Sequence, residues 1–127
     1  MHILEAKEDD VPTPTKVDIT HYRGDTLGIS LKVWADDSNT VPANFTGSKV
    51  VAQVRPTADS SEISGQFAVS ISGNTLTLVL SPKQTREMGA TNVWDVEVDW
   101  HSDDVQVQTV VAGTLSLTSD VTRVLTP

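Results

Sequence analysis

The sequence of 127 residues contains no cysteine, which excludes disulfide bonds and thiolate metal sites. It also has few cations, nine lysines and arginines against 17 acids, which give a net charge of −8. A surface of that sign repels phosphate, so we expect neither nucleic acid nor an anionic membrane as a partner. No apolar run approaches the roughly 20 residues that cross a bilayer. Hydrophobic residues nevertheless make up 38% of the chain, which predicts one folded domain with a core.

The pattern that is present is an alternation of apolar and polar residues, which is typical of half-buried antiparallel strands. Gly73-Asn74 separates two such runs and predicts a tight hairpin turn. Ser81 followed by Pro82 predicts the start of a short helix. About seven or eight strands separated by turns predict an all-β, immunoglobulin-like antiparallel β-sandwich with one short helical crossover. The predicted strands are 26–34, 48–55, 66–72, 75–80, 92–100, 105–111 and 114–119.

The chain is expected to have extended ends on either side of this sandwich. The first segment, MHILEAKEDDVPTPT, is acidic and interrupted by prolines, which predicts an N-terminal arm over residues 1–15. The sandwich is expected over residues 16–123 and a short tail over 124–127. Extended ends can lie along a neighbouring protein or add a strand to its sheet. The candidate interface residues of the arm are Val11, Pro12 and Pro14.

The tripeptide Arg23-Gly24-Asp25 stands directly before a strong strand. In animal extracellular proteins the same tripeptide is an adhesion ligand, but nothing else in the sequence indicates an exposed extracellular loop. A glycine between two charged residues supplies the positive φ that a turn or bulge needs. We therefore expect a structural turn, in which Asp25 bonds to backbone donors and Arg23 pairs with an acid of a neighbouring strand.

Three acids share one face of the strand in NVWDVEVDW: Asp95, Glu97 and Asp99. Calcium takes six to eight oxygens from a bent loop, whereas residues two apart on a strand lie about 6–7 Å apart. We therefore expect a solvated face that discourages pairing with other sheets, and neither a metal nor another cofactor.

Few residues suggest catalysis, because the sequence has no nucleophile elbow and no glycine-rich loop that opens a helix. The best acid–base pair is His101 with Asp103, and such neighbours are common in turns without chemistry. We therefore expect a protein that is not an enzyme. Trp34 is out of step with the inward residues of its strand and is a candidate interface anchor. Together with Tyr22 it would serve a carbohydrate- or receptor-binding module, if both lay in one concave patch.

Four segments occur in an order that resembles a known family: DITHYRGDT, VVAQVRPT, NVWDVEVDW and GTLSLTSDVTR. The sequence is similar to small phage-encoded β-sandwich virion proteins, and to the N-terminal sandwich modules of siphophage baseplate and tail-fibre proteins. In those proteins RGDT starts the first long strand and an AQVR strand follows a loop. A short Ser-Pro helix then precedes a WDVEV-type strand, and DVTR ends the domain. The resemblance covers residues 16–123 and leaves the acidic arm outside it.

The resemblance implies a structural role in a bacteriophage virion. The protein would be made in the bacterial cytoplasm and would become a non-catalytic docking or assembly module of the tail, in the baseplate, the tail tip or the fibre attachment. Its partners would be other virion proteins, and it would form a symmetric homo-oligomer or be present in many copies. A capsid decoration protein of the head is the alternative within the virion. A carbohydrate- or receptor-binding module is the alternative of a different class.

Overall fold

The computed structural model describes residues 14–35, 38, 40–101 and 106–119. Within these residues nine strands and one helix form two sheets, which confirms the predicted immunoglobulin-like β-sandwich. No helix of this part of the chain is long and apolar enough to cross a membrane. The elements are β1 (Thr15–Lys16), β2 (Ile19–Tyr22), β3 (Leu27–Lys32), β4 (Lys49–Arg55), β5 (Gly65–Gln66), β6 (Ala68–Ser72), β7 (Thr75–Leu80), α1 (Pro82–Glu87), β8 (Thr91–Asp99) and β9 (Val107–Thr118).

The larger sheet has the order β1-β9-β8-β4-β5, with β2 also paired to β9, and the smaller sheet has the order β3-β7-β6. The pairs are antiparallel as predicted, except that β1 and β2 run parallel to β9. Thr15 already pairs with Val111, so the sandwich begins one residue earlier than expected. The first and last strands are therefore neighbours at one edge of the larger sheet.

The strand directions place the loops at two opposite ends of the sandwich. We call the end where β9 begins the N-terminal end; it also carries Trp34, the hairpin turn at Gly73 and the turn after β8. We call the end where β9 finishes the C-terminal end; it also carries the turn at residues 23–25, the loop 56–64 and α1. β1 begins between these ends, beside Val111 in the middle of β9.

The core lies between the sheets and follows the predicted alternation. β7 contributes Leu76, Leu78 and Leu80, all fully buried, and β8 contributes Val96 and Val98. This pattern arises because successive side chains of a strand point to opposite faces, and one face of each sheet is covered by the other sheet.

Alternation in the predicted strand 66–72 places Phe67, Val69 and Ile71 inward, but Ile71 is exposed. Ile71 retains 44% of its accessible surface, because β6 is an edge strand of the smaller sheet. It lines a shallow groove with the loop around Phe45 at the N-terminal end. Phe45 itself is buried and stacks on Trp100, with ring centroids 5.3 Å apart.

β9 differs from the prediction of two strands over 105–111 and 114–119, since it is one strand of 12 residues. Its pairing with β8 shifts register between Val96 and Glu97, and both Val110 and Val111 are buried. A bulge places two successive residues against one partner residue and so interrupts the alternation. In the sequence this interruption looks like the end of one strand and the start of another.

The predicted helix is confirmed as α1, one turn and a half that connects the two sheets between β7 and β8. Its cap is the expected one, since the Ser81 side chain accepts a hydrogen bond from the Gln84 backbone N–H at 3.2 Å. Its one buried residue is Thr85, which faces the turn at residues 23–25.

Candidate docking surface

The Arg23-Gly24-Asp25 segment forms a turn in which Gly24 has a φ of 89°. The Gly24 N–H donates to Thr85 Oγ1 at 3.0 Å, and Thr85 Oγ1 donates to the Asp25 carbonyl at 2.9 Å. The Arg23 N–H donates to the Thr118 carbonyl at 2.8 Å. The turn is therefore fixed through backbone groups to both α1 and β9.

The side-chain roles expected for this turn are not observed. Within the described residues the Asp25 carboxylate is exposed, and the turn uses the carbonyl of Asp25 instead. The Arg23 Nε–H is buried without a hydrogen-bond partner there, and the ion pairs found among the described residues are Lys16–Asp18 and Lys83–Glu87. Both expected roles depend on charge, whereas the turn is held by a residue about sixty positions away.

The two candidate aromatic anchors lie at opposite ends of the sandwich. Tyr22 is 54% exposed at the end of β2, which is the C-terminal end. Trp34 is half-buried at the N-terminal end, where it bridges to Pro42 and its ring lies 6.0 Å from Lys32 Nζ. They therefore do not line one concave patch. Pro14 is half-buried immediately before β1, while Val11 and Pro12 lie outside the described residues.

A different surface combines an apolar depression with charge. A groove of about 300 Å³ opens on the outer face of the larger sheet, where β9, β8 and β4 lie side by side. We call it the sheet groove. Its lining includes Arg55, Ala58, Val93, Asp95, Ala112 and Gly113.

One side of the sheet groove is formed by the loop 56–64, which contributes Ala58 to the lining. Arg55 at the end of β4 donates from Nη1 to the Ser60 carbonyl at 2.7 Å and from Nη2 to Gln53 Oε1 at 3.1 Å. This anchoring holds the loop, including Ala58, beside the groove.

The opposite side carries the acids of β8. Partial burial raises the pKa of Asp95, and the positive charge of Arg55 opposes that rise. Glu97 is also exposed on this face, and the residues opposite it, Val51 and Thr109, are uncharged. Within the described part of the chain, no group of three or more acidic, histidine or cysteine side chains could hold a metal ion.

Gly113 lines the sheet groove with its backbone, while its missing Cβ position faces Val17 on the same side of the sheet as the buried Trp94. A Cβ atom there would collide with the carbonyl group of Val17. That carbonyl accepts a hydrogen bond from Trp94 Nε1 at 3.0 Å, and the Val17 N–H donates to the Ala112 carbonyl at 3.0 Å. Asp18 Oδ1 completes the contact by accepting from the Thr114 backbone N–H at 3.0 Å. We call this contact the Val17–Asp18 clasp; its only signal in the sequence is a glycine between two alternating runs.

The clasp gives Asp18 a pH-dependent role. Its pKa is lowered, chiefly because the carboxylate accepts the hydrogen bond of the Thr114 backbone N–H. A lowered native pKa means that the carboxylate adds stability at neutral pH, which is lost as the pH falls from about 4 through the native pKa.

We therefore expect Asp18→Ala to lower the melting temperature by a few degrees at pH 7, with a difference that shrinks towards pH 3. Thermal melts of both proteins by circular dichroism at pH 7, 5 and 3 measure this. A difference that stays constant over that range would contradict the role of the carboxylate.

The strand order and the two packed sheets define an immunoglobulin-like β-sandwich. No family model matches the sequence, and neither does any curated protein. Among solved structures, the chain is similar to a chimeric titin Z1Z2 functionalized with a KLER exogenous peptide from decorin. The TM-score is 0.47, with 12% identity over 84% of this chain and 91% of that one. It is also similar to a mutant of the titin I27 domain solved by NMR, with a TM-score of 0.40 and 16% identity over 90% of this chain and 92% of that one. Both similarities concern the fold alone.

Proposed function

We propose that this protein is a non-catalytic structural module of a bacteriophage virion, which docks on other virion proteins in the tail. The observation that supports this most directly is the order of the four motifs. RGDT forms the turn before β3, AQVR ends β4 and WDVEV lies on β8, with the Ser-Pro helix α1 before it; DVTR lies outside the described residues. The positions of the first three motifs support the proposal.

The path of the chain supports the same proposal. The described chain begins beside Val111, in the middle of β9, and β9 itself finishes at the C-terminal end of the sandwich. The segments before Pro14 and after Ser119 are therefore attached at separate places on the sandwich. Such a module can contact one neighbour through each segment, which suits a protein that is repeated around a symmetric particle.

The protein's place in the virion is tested by immunogold electron microscopy of purified particles, with an antibody raised against the protein. We expect label on the tail, and a copy number on the order of tens by quantitative mass spectrometry. Antibody pre-absorbed with the purified protein is the control for unspecific label.

Label over the head with hundreds of copies would instead assign the protein to capsid decoration. Particles without any label or peptide of the protein would overturn the virion role. Glycan binding that is lost in Trp34→Ala would favour the receptor-binding alternative.

A further inference from the structure

The sheet groove has the shape and charge of a site for an extended peptide. Its floor is apolar, with Val93 and Ala112 from neighbouring strands, and the anchored loop 56–64 limits it on one side. Asp95 borders the floor, and Glu97 follows on the same face about 6–7 Å further along β8. Arg55 already lies close enough to Asp95 to offset part of its charge, so the two acids and Arg55 together leave one negative charge. An occupant should therefore present aliphatic side chains together with one cation.

The segment of this chain that follows the described part of β9 has this composition. Its sequence is DVTRVLTP, residues 120–127. Bound in an extended conformation, it would present Val121, Arg123 and Leu125 on one face, because residues two apart share a face. The arginine would thus lie between two aliphatic side chains, each about 6–7 Å from it along the segment. Asp95 and Glu97 are separated by the same distance along β8. The acidic segment before Pro14 does not match the groove in charge.

Distances exclude the groove of the same molecule. Asp95 is paired with Ala112, which lies six residues, or about 20 Å, back along β9 from Thr118. Arg123 lies five residues beyond Thr118, and a reversal of chain direction uses at least two of them. The remaining residues reach back only about 10 Å, so Val121 would stay near the chain reversal and could not lie on the groove floor beside Ala112.

We propose that the sheet groove binds residues 121–125 of a second copy of this protein, with Val121 and Leu125 on its floor and Arg123 at Asp95 and Glu97. The two surfaces are different, so the contact is head-to-tail and either closes into a ring or continues as a filament. This inference rests on the proposed function, because a virion places many copies of the protein side by side. It extends that function by naming one partner.

Charge reversal of the purified full-length chain tests the contact. Self-association is measured by analytical ultracentrifugation up to about 1 mM, the weak end of specific binding. We expect Arg123→Glu and Asp95→Lys each to raise the dissociation constant at least about tenfold, because each places like charges together. The double variant should recover most of the affinity, since it restores an opposite pair. Arg86→Glu, the same charge change on the exposed face of α1, is the matched control and should leave the dissociation constant unchanged.

A second measurement does not depend on how well Asp95→Lys folds. The synthetic peptide DVTRVLTP in excess should dissociate the wild-type oligomer, and DVTEVLTP should not. A chain that stays monomeric at every concentration, or an oligomer insensitive to Arg123→Glu and to the peptide, would overturn the inference. The outcome of these experiments is independent of the particle images. If the protein associates through the groove but is absent from virions, the proposed function is contradicted and the groove contact is not.

Discussion

Gly113→Ala is expected to destabilise the native state by about 3 kcal/mol or more, the upper range for an added methyl group in a packed site. The new Cβ would meet the carbonyl group of Val17, which is backbone and cannot rotate away. Relief requires moving Val17, and with it the hydrogen bond from Trp94 Nε1 and the pairing to Ala112. Urea denaturation followed by tryptophan fluorescence measures the free energy of unfolding.

Gly28→Ala is the matched control for this substitution. Gly28 lies inside β3 on an outward face, and a Cβ there would have no atom within 4 Å. Its backbone does not have the left-handed φ of Gly24. We expect a free energy of unfolding within about 0.5 kcal/mol of wild type or slightly higher, since alanine reduces the freedom of the unfolded chain. Equal stability of the two variants would show that the Val17–Asp18 clasp can shift to accommodate the added methyl group with little loss of stability.

The sequence predicts those parts of the fold that depend on alternation within one strand. Alternation places Leu76, Leu78 and Leu80 of the predicted strand 75–80 inward, and Val96 and Val98 of the predicted strand 92–100 likewise, and all five are buried. The strands that escaped prediction are β1, β2 and β5, with two, four and two residues. Such short segments carry almost no periodic signal. The parallel pairing of β1 and β2 with β9 is a contact between distant parts of the chain. The predicted strand 66–72 is divided, since β5 pairs with β4 in the larger sheet and β6 pairs with β7 in the smaller one.

The site was less predictable than the fold because it is built from neighbours across strands. Alternation does place Asp95 and Glu97 on the outer face of β8. It does not show that Ala112 lies opposite Asp95, because that register depends on the bulge in β9. Nor does it show that Arg55 anchors the loop 56–64, since its partner there is a backbone carbonyl, which every residue possesses. The sheet groove therefore has no motif of its own in the sequence.

The turn at residues 23–25 also depends on a contact that the sequence does not reveal. The sequence identifies the glycine that the turn requires but not its partner Thr85. Thr85→Val should destabilise the protein by about 2 kcal/mol, within the range for leaving buried polar groups unpaired. Valine has nearly the same shape, but the Gly24 N–H would lose its acceptor and the Asp25 carbonyl its donor.

Urea denaturation gives the size of this loss, and hydrogen exchange of the Gly24 amide locates it. We expect that amide to exchange faster in Thr85→Val than in wild type, because its acceptor is removed. Thr77→Val, the same substitution on the outward face of β7, should change the stability by less than about 0.5 kcal/mol, since valine suits a strand. Asp25→Ala should likewise have a small effect, because it keeps the carbonyl that Thr85 uses. If Asp25→Ala costs more than Thr85→Val, the turn depends on the carboxylate and not on the threonine.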